Sequence, residues 1–513
     1  MIYKIKTYAI QWLTGNQITI EVDSNKSLPT IEIIWLPDTS IKESKERIRS
    51  ALRNSHIEIP NRKFILNLSP SDIRKTGTSF DVPMAVGLLW SIVGKAAVHQ
   101  HALEDWLFFG ELGLDGRVKR IDGLLPMVIA AKKSGYSLFF IPADNLYEIE
   151  YIQDIVIYPI NTFAQLVHHF TWGQELSSIT NAKQIYISDH TIASEHNFGY
   201  IRWQHVAKRA LSIAASGLHN ILMIGAPGSG KTLLARALTS ILPPLETSEI
   251  LEVSGIYSIV GKLHKDMPLI THRPFRSVHH TASRISITWW WATLRPWEVS
   301  LAHRGILFLD ELTEFPRETL EVLRQPIEDR NITITRVSGS VNYPANFMLV
   351  GAMNPCKCGY YKDPEKSCTC ALHDVKKYQS KLSGPLLDRI DMILEIPRET
   401  IDIVMEDGSS EDSTVIKSRV LDARAIQQKR YVGTDIISNT QLQAKNIAQY
   451  VHIDEQGEQF LKQSARQLNL SPRVVHRIMK LARTIADMEW SSKVLMKHLA
   501  EAFQYRNKTM FAD

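Results

Sequence analysis

Hydrophobic and polar positions along the first 170 residues follow two periods. Alternation or short apolar runs in QITIEVD, TIEIIWL, RKFILNL, WLFFGEL and YSLFFIPA predict β-strands. In IKESKERIRSALRNS and DVPMAVGLLWSIVG the apolar residues instead recur every three or four positions, which predicts helices. The mixture predicts an α/β or α+β domain over residues 1–170.

The remaining residues divide into a linker and two further domains. Residues 171–200 show no clear period and predict a linker, and residues 201–397 carry apolar runs separated by helical patterns. Residues 398–513 are mainly helical in period, as in EQGEQFLKQSARQL and SPRVVHRIMKLARTIADM. A chain of 513 residues is long enough for such a division.

A glycine-rich loop lies between a predicted strand and a predicted helix in the second domain. The apolar run HNILMI is followed by GAPGSGKT and then by LLARALTSIL, the context that a phosphate-binding P-loop requires. We expect nucleotide contacts from Gly225, Ala226, Pro227, Gly228, Ser229, Gly230, Lys231 and Thr232. Lys231 would reach the β- and γ-phosphates, and Thr232 would ligate Mg²⁺.

A second strand, Ile306–Leu309, ends in an acidic pair. Asp310 and Glu311 follow four apolar residues, so they lie where a buried strand ends. Carboxylates at the carboxyl end of such a strand suit a metal ion and an attacking water. A P-loop followed by this strand predicts a nucleoside triphosphatase.

Polar residues after later strands are further candidates. Asn354 follows the strand-like run Phe347–Val350, where it can contact a γ-phosphate or water, although an ordinary asparagine turn gives the same pattern. Arg389 can stabilise transition-state charge on a neighbouring chain, or form an ion pair with Asp388 or Asp391. Arg473 begins a helix and is expected to point into the nucleotide cleft.

All four cysteines fall within 15 residues. Cys356, Cys358, Cys368 and Cys370 form two C-x-C pairs that could close a tetrahedral structural zinc site, the alternative being free thiols. Such clustering favours a metal site in a reducing cytoplasm over a disulfide framework. No apolar run reaches 18 residues and no signal-peptide cleavage site is evident, so we expect neither a membrane span nor secretion.

The net charge of +5 is too small to indicate nucleic acid by itself. Basic residues nevertheless concentrate in THRPFRSVHHTASR, and ITITRVSGSVNYPA predicts a hairpin. Phosphate contacts are expected from Arg273, Arg276, His279, His280 and Arg336. A solvated loop or a subunit contact would account for the first of these stretches equally well.

Several strings together resemble one family. The P-loop, LFLDEL, RPFRSVHHTAS, the C-x-C pairs, LSGPLLDRID and SPRVVHRIMKLARTIAD are similar to the ComM/YifB family of magnesium-chelatase-like AAA+ ATPases, over nearly the whole chain. The resemblance implies a Lon-protease-like α+β domain, a doubly wound α/β AAA+ core and a C-terminal helical lid. In TSFDVPMA, Asp81 stands near the Lon nucleophile position, so no peptidase activity is expected.

The family resemblance also implies roles for single residues. Lys231, Thr232 and Asp310 would hold ATP and Mg²⁺, with Glu311 activating water. Asn354 would be the first sensor, Arg389 the arginine finger and Arg473 the second sensor. A finger acting on a neighbour implies a ring, expected to be a hexamer, and relatives promote DNA branch migration. The loop and hairpin would then grip DNA independently of sequence.

Two other functions are compatible with part of these motifs. One is the motor subunit of a magnesium chelatase, which inserts metal into a porphyrin. Chelatase motor subunits are typically shorter and lack both the Lon-like domain and the cysteines. The other is a Lon-type remodelling factor, against which the missing serine and lysine argue. DNA-stimulated ATP hydrolysis would separate the three.

Tryptophan occupies positions where the family has glycine. These positions are Trp12, Trp35, Trp203, Trp289, Trp290, Trp291, Trp297 and Trp490. Counting all 11 tryptophans as glycines would raise glycine from 25 to 36 of 513 residues, close to the usual share of about 7%. We hypothesise that UGA encodes glycine in the source organism. The alternative is a real aromatic loop that stacks on DNA bases.

Overall fold

The computed structural model describes most of the chain. The described residues are 2–11, 13–28, 30–34, 39–71, 77–94, 105–185, 196–201, 203–278, 298–336, 339–398, 410–506 and 511. Contacts divide the chain into two compact units. The first comprises Met1–Tyr186 and Thr247–Ile270, and the second comprises Ile187–Glu246 and Thr271–Asp513.

The secondary structure has the following bounds. The strands are β1 (Tyr3–Gln11), β2 (Thr14–Lys26), β3 (Thr30–Ile34), β4 (Arg62–Ser69), β5 (Trp106–Phe108), β6 (Glu111–Leu112), β7 (Val118–Lys119), β8 (Leu138–Pro142), β9 (Val156–Ile160), β10 (Ile221–Gly225), β11 (Phe275–Val278), β12 (Ile306–Leu309), β13 (Asn331–Arg336), β14 (Gly339–Pro344), β15 (Met348–Met353) and β16 (Met392–Ile396). The helices are α1 (Thr39–Asn54), α2 (Asp81–Val93), α3 (Leu124–Lys133), α4 (Leu146–Ile149), α5 (Phe163–Trp172), α6 (His205–Gly217), α7 (Lys231–Ile241), α8 (Thr247–Ile259), α9 (Glu298–Leu301), α10 (Arg317–Val322), α11 (Arg324–Asp329), α12 (Leu372–Gln379), α13 (Gly384–Leu387), α14 (Ser413–Arg430), α15 (Ala444–Tyr450), α16 (Glu455–Gln467), α17 (Pro472–Met488) and α18 (Met496–Gln504). Short 3-10 turns cover Ala143–Asn145, Phe198–Tyr200, Leu312–Glu314 and Asn439–Gln441.

The first unit is built on a mixed seven-stranded sheet in the order β3-β4-β2-β1-β5-β8-β9. Strand β2 pairs antiparallel with both β1 and β4, whereas β5, β8 and β9 run parallel. Nearly every side chain of α2 is buried. The predicted strand WLFFGEL is interrupted at Gly110, whose φ of +143° separates β5 from β6.

Residues 247–270 pack with the first unit although they follow the P-loop helix in sequence. The Ser258 hydroxyl donates to the buried Glu148 carboxylate at 2.6 Å. The Tyr147 hydroxyl donates to the Leu263 carbonyl at 2.9 Å. This packing differs from the predicted continuous core of residues 201–397. The apolar and polar positions of α8 carry no information about which sheet this helix covers.

The second unit is built on a five-stranded parallel sheet in the order β11-β12-β15-β10-β16. Strands β10, β12 and β15 are buried along their whole length, as expected of parallel strands covered on both faces. We call the side where these strands end the carboxyl edge, and the side where they begin the amino edge. The P-loop strand β10 lies between β15 and β16.

The C-terminal helices belong to the same compact unit as this sheet. The Ile393 amide donates to the Tyr505 carbonyl at 2.7 Å, and the Gln427 amide donates to the Ser216 carbonyl at 3.1 Å. The helical region predicted over residues 398–513 is therefore continuous with the sheet's core. Among the described residues, no helix combines the length and apolar character needed to cross a membrane.

Candidate nucleotide-binding site

The P-loop connects the end of β10 to the start of α7 at the carboxyl edge. Gly228 and Gly230 have φ values of +80° and +87°, a backbone region that favours glycine. A Cβ on Gly225 would lie 2.4 Å from the Ile396 carbonyl oxygen, so the neighbouring strand also requires glycine there. The free N–H groups at the beginning of α7 can then bind phosphate.

Lys231 is the first residue of α7 and is almost fully buried. Its ammonium group donates to the Gly225 and Ala226 carbonyls at 2.8 Å each and to the Asn354 side-chain oxygen at 3.3 Å. Burial lowers the pKa of Lys231 to about 8, while the nearby Asp310 carboxylate acts in the opposite direction. The lysine charge is therefore poorly compensated, which favours binding of an anionic group.

Thr232 and Asp310 come together across the cleft. The Thr232 hydroxyl donates to Asp310 Oδ2 at 2.8 Å. This separation matches the edge of about 2.9 Å expected for an octahedral Mg²⁺ with bonds of about 2.0–2.1 Å. Both oxygen donors fit a hard cation. These two residues could therefore hold Mg²⁺ beside the P-loop, as the sequence predicts.

Glu311 has an unusual backbone conformation directly after β12. Its φ of +50° lies in the left-handed region, and its N–H donates to Asp310 Oδ1 at 2.9 Å. A non-glycine residue there costs on the order of 1 kcal/mol, and such strain clusters at functional sites. Glu311 is exposed to solvent at this turn, directly after the carboxyl end of β12.

Asn354 directly follows β15, the strand beside β10. Its contact with Lys231 brings it into the same cleft as the P-loop and the acidic pair. Every residue predicted to bind or activate the nucleotide within one chain, apart from Arg473, therefore lies at the carboxyl edge.

Arg389 and Arg473 lie at the amino edge. Both form ion pairs with Glu328, and the Arg473 pair measures 3.5 Å. With Glu328 they line a cavity of about 840 Å³ that also includes Asn220 and Met348, near the starts of β10 and β15. At about 3.3 Å per residue, the length of β10 puts this edge roughly 15 Å from the P-loop.

This placement corrects two interpretations of the sequence. The sequence predicts that Arg473 points into the nucleotide cleft, but α17 begins at the edge of the sheet opposite the P-loop of the same chain. The ion pair considered for Arg389 was with Asp388 or Asp391, whereas its described partner is Glu328. The reason in both cases is that Glu328, in α11, is distant in sequence from both arginines and close in space.

Arg477 was missed by sequence reasoning. Its guanidinium donates to the Arg389 carbonyl at 2.8 Å and to the buried Asp391 carboxylate. Burial alone would raise the pKa of Asp391, but Arg477, His219 and the Asn220 N–H together hold it well below its usual range. The available signal was position, because Arg477 is one helical turn after Arg473.

The structure gives two of the predicted basic residues local partners. Arg273 donates to the carbonyls of Pro243, Arg304 and Pro244 at 2.6, 2.7 and 3.1 Å. Arg276 forms a two-point ion pair with Glu298. Both guanidinium groups thus bind partners within the second unit, and this geometry does not match a role in contacting DNA.

The other predicted DNA contacts have less structural description. His279 and His280 lie outside the described residues, as do Trp12, Trp35, Trp289, Trp290, Trp291 and Trp297. The predicted hairpin is present, because β13 and β14 pair antiparallel from Asn331 and Pro344 to Arg336 and Gly339. The Arg336 side chain is outside the described part of the chain.

Comparisons with known proteins agree along nearly the whole chain. Residues 197–403 match the family described as magnesium chelatase, subunit ChlI. Residues 20–145 match the family described as subunit ChlI of Mg-chelatase, and residues 410–506 match the one described as magnesium chelatase, subunit ChlI C-terminal. The chain is 35% identical to the competence protein ComM of Haemophilus influenzae over 490 residues, covering 95% of this chain and 94% of that protein. The chain belongs to the ComM/YifB family of magnesium-chelatase-like AAA+ ATPases.

Another family member supports the same assignment. YifB of Escherichia coli is 36% identical over 508 residues, covering 98% of this chain and 96% of that protein. The family implies ATP and Mg²⁺, for which the P-loop, Thr232 and Asp310 provide suitable groups. The match extends through the first unit, so family membership does not rest on the P-loop alone.

Similarity to Lon is partial. Lon protease 2 of Bacillus subtilis is 30% identical over 128 residues, which cover 25% of this chain and 22% of that protein. Asp81, near the expected nucleophile position, is fully buried and forms a two-point ion pair with Arg47 at 2.6 and 3.1 Å. It also accepts from the Leu112 N–H at 3.2 Å. Its carboxylate therefore has a structural role.

Proposed function

We propose that the protein is an ATP-hydrolysing ring motor that acts on DNA. The observation that carries this proposal is the separation of the P-loop from Arg389 and Arg473, which lie at opposite edges of one sheet. Neither arginine can reach the nucleotide of its own chain. Each can reach the nucleotide of a neighbour when copies associate head to tail, an arrangement that forms a ring when the rotation between copies closes.

The proposed hydrolysis assigns one task to each residue in the cleft. Lys231 and the P-loop N–H groups would hold the β- and γ-phosphates, and Thr232 and Asp310 would hold Mg²⁺, which would supply positive charge beside the phosphate oxygens. Glu311 accepts a proton from the attacking water, and Asn354 orients that water or the γ-phosphate. Arg389 and Arg473 of the adjacent copy stabilise the charge that develops on the transferred phosphoryl group.

The proposed DNA substrate rests on the full-length similarity to a competence protein and on the family resemblance to branch-migration motors. We propose that the β13–β14 hairpin and residues 279–297, which lie outside the described residues, contact the DNA backbone without reading sequence. The ring is proposed to be a hexamer. Peptide-bond hydrolysis is not part of the proposal, because Asp81 is held in a buried ion pair.

The decisive experiment measures ATP hydrolysis by the full chain with and without four-way junction DNA. We expect junction DNA to stimulate hydrolysis and to be migrated, with both activities lost in Glu311→Gln. Glu311→Gln should still bind ATP and accumulate as assembled rings on DNA. Absence of stimulation and migration, together with a Glu311→Gln ring trapped on a porphyrin-metal or protein substrate, would contradict the DNA assignment.

A further inference from the structure

The four cysteines form one compact cluster beside the nucleotide cleft. We use "cysteine cluster" for Cys356, Cys358, Cys368 and Cys370, whose sulfur atoms all lie within 4.8 Å of one another. Three of the sulfur pairs measure 3.3, 3.5 and 3.7 Å. A disulfide requires about 2.05 Å. Tetrahedral zinc with Zn–S bonds of about 2.3 Å has sulfur–sulfur edges of about 3.8 Å, which these distances approach.

Backbone N–H groups surround the sulfurs. The N–H groups of Tyr361 and Gly359 lie near Cys356, and those of Tyr360 and Thr369 lie near Cys358. The Cys370 amide lies 3.4 Å from the Cys368 sulfur. Such donors stabilise negative charge on sulfur, which metal-bound thiolates carry. Outer hydrogen bonds of this kind orient the ligands of metal sites.

The cluster touches the P-loop through Gly359. A turn closed by the Gly359 N–H and the Cys356 carbonyl at 3.0 Å presents Gly359 with a φ of +88°. A Cβ added there would lie 2.5 and 2.7 Å from ring carbons of Pro227 in the P-loop. The backbone of the cysteine turn is therefore packed directly on the loop that would hold the phosphates.

A second connection runs through the backbone at Asn354. Cys356 is two residues after Asn354, and Lys231 donates to the Asn354 side chain at 3.3 Å. Between them, the Pro355 carbonyl accepts from the buried Gln379 amide at 2.8 Å, so the segment is also fixed from α12. Because Cys356 is fully buried, its position constrains Asn354 on one side.

We propose that the cysteine cluster binds Zn²⁺ and that the bound metal holds Pro227 and Asn354 in position, so that zinc occupancy controls nucleotide affinity. The inference rests on the proposed nucleotide site but not on the proposed DNA substrate. Closing the Cys356–Gly359 turn braces the P-loop from outside, and fixing Cys356 aligns the polar group that contacts Lys231. Loss of the metal releases both constraints together.

The experiment measures zinc and nucleotide binding on the same full-length protein without DNA. Atomic emission should give one zinc per chain, absent when both Cys368 and Cys370 are changed to serine. Removing zinc with a strong chelator should weaken binding of a fluorescent ADP analogue by at least about tenfold, as expected when binding groups lose their alignment, and added Zn²⁺ should restore it. Circular dichroism before and after removal reports whether the chain stays folded.

A variant that changes only the contact between Gly359 and Pro227 separates the effect of this contact on the P-loop from the effects of metal binding and folding. Gly359→Ala should retain zinc but weaken ADP binding, because its Cβ would displace Pro227. Gly433→Ala is the matched control, since Gly433 has a φ of +80° but nothing within 4 Å of an added Cβ. It carries the same backbone strain and should leave ADP affinity unchanged.

Three results would overturn the inference. They are a chain without zinc, a folded zinc-free chain with unchanged ADP affinity, and equal effects of Gly359→Ala and Gly433→Ala. If the zinc-free chain unfolds, the two glycine variants decide. If the zinc-loaded protein binds no nucleotide at all, the proposed ATPase function fails instead. Failure to respond to DNA would leave the zinc inference intact.

Discussion

At the scale of single residues, Lys231 combines burial with a charge that phosphate binding requires. Its pKa is lowered to about 8 because burial penalises the charged form. Bound phosphate favours the ammonium group, so the pKa must rise in the complex. By linkage, nucleotide binding takes up a proton at pH values between the Lys231 pKa of the free protein and its higher pKa in the complex.

The expected outcome is a pH-dependent nucleotide affinity. ADP affinity should be nearly constant below about pH 8 and fall by up to tenfold per pH unit above it, since each unit corresponds to about 1.4 kcal/mol. Titrations with a fluorescent ADP analogue between neutral and alkaline pH measure this slope. Lys480→Arg is the control, because Lys480 also has a pKa of about 8 but lies at the amino edge. A flat profile, or a slope lost in Lys480→Arg, would contradict the assignment to Lys231.

Trp490 is the described tryptophan that fits its position least well. It follows α17 with a φ of +57°, and the Ser491 N–H donates to the Ala486 carbonyl at 2.8 Å across it. Glycine is strongly preferred at this position after a helix. The side chain is 70% exposed, so it gains little from packing. These features support glycine at position 490 in the native protein.

Trp490→Gly should stabilise the protein by about 1 kcal/mol, because the left-handed backbone strain is removed. The midpoint of thermal unfolding measures the change. Trp172→Gly is the control and should instead destabilise the protein. Trp172 is also exposed, but it is the last residue of α5, where glycine costs about 1 kcal/mol. Destabilisation by Trp490→Gly would show that the tryptophan is accommodated.

The structure limits which tryptophans can be recoded glycines. Trp90 is buried, with its ring centroid 5.6 Å from those of Phe108 and Phe170. Glycine at that position would leave a large cavity in the core. Peptide mass spectrometry of the native protein should therefore find glycine at 289–291 and 490 but tryptophan at 90. Tryptophan at 289–291 would exclude the hypothesis for the insert.

At the scale of elements, the parallel strands were predictable because a strand that is buried on both faces consists of a continuous run of apolar residues. The runs before GAPGSGKT and before Asp310 became β10 and β12. The placement of α8 and α17 could not be read in the same way. The sequence of a helix does not show where on a sheet the helix packs, because that depends on residues distant in sequence, such as Glu148 for α8 and Glu328 for α17.

Helix α17 is tied to the Arg389 segment by Arg477, which makes this arginine a positioning residue. Arg477→Gln removes the donor shared by the Arg389 carbonyl and the Asp391 carboxylate. Leaving Asp391 without that partner should lower the free energy of unfolding by about 3 kcal/mol. ATP hydrolysis should fall at least about tenfold, because Arg389 and Arg473 lose their alignment.

The affinity of the same variant for ADP separates positioning from general damage. ADP affinity should stay unchanged, because the P-loop is at the opposite edge of the sheet. Arg419→Gln is the control, since Arg419 and Glu411 form an exposed pair that contributes less than about 1 kcal/mol. Equal losses of hydrolysis and ADP binding in Arg477→Gln would indicate unfolding instead of misplacement.

At the scale of the whole molecule, the proposed catalytic site has two halves at opposite edges of one sheet, and a single chain does not bring them together. The P-loop, Asp310 and Glu311 form one half, and Arg389 and Arg473 form the other. In the single chain both arginines share the one carboxylate of Glu328 as an ion-pair partner at the amino edge. Association would place those arginines beside a neighbour's phosphates, whose negative charge would replace the Glu328 carboxylate as their ion-pair partner.

This arrangement predicts complementation between two inactive variants. Lys231→Ala lacks a functional P-loop but retains Arg389, whereas Arg389→Ala binds ATP but cannot complete its neighbour's site. Mixing them in equal amounts creates complete sites wherever an Arg389→Ala P-loop faces a Lys231→Ala arginine. Random assembly makes about one quarter of the interfaces complete, so hydrolysis should recover to about one quarter of the wild-type rate. The double variant Lys231→Ala/Arg389→Ala mixed with either single variant forms no complete site and is the control. If the mixture stays inactive although mass photometry shows mixed rings, Arg389 does not act on a neighbouring nucleotide.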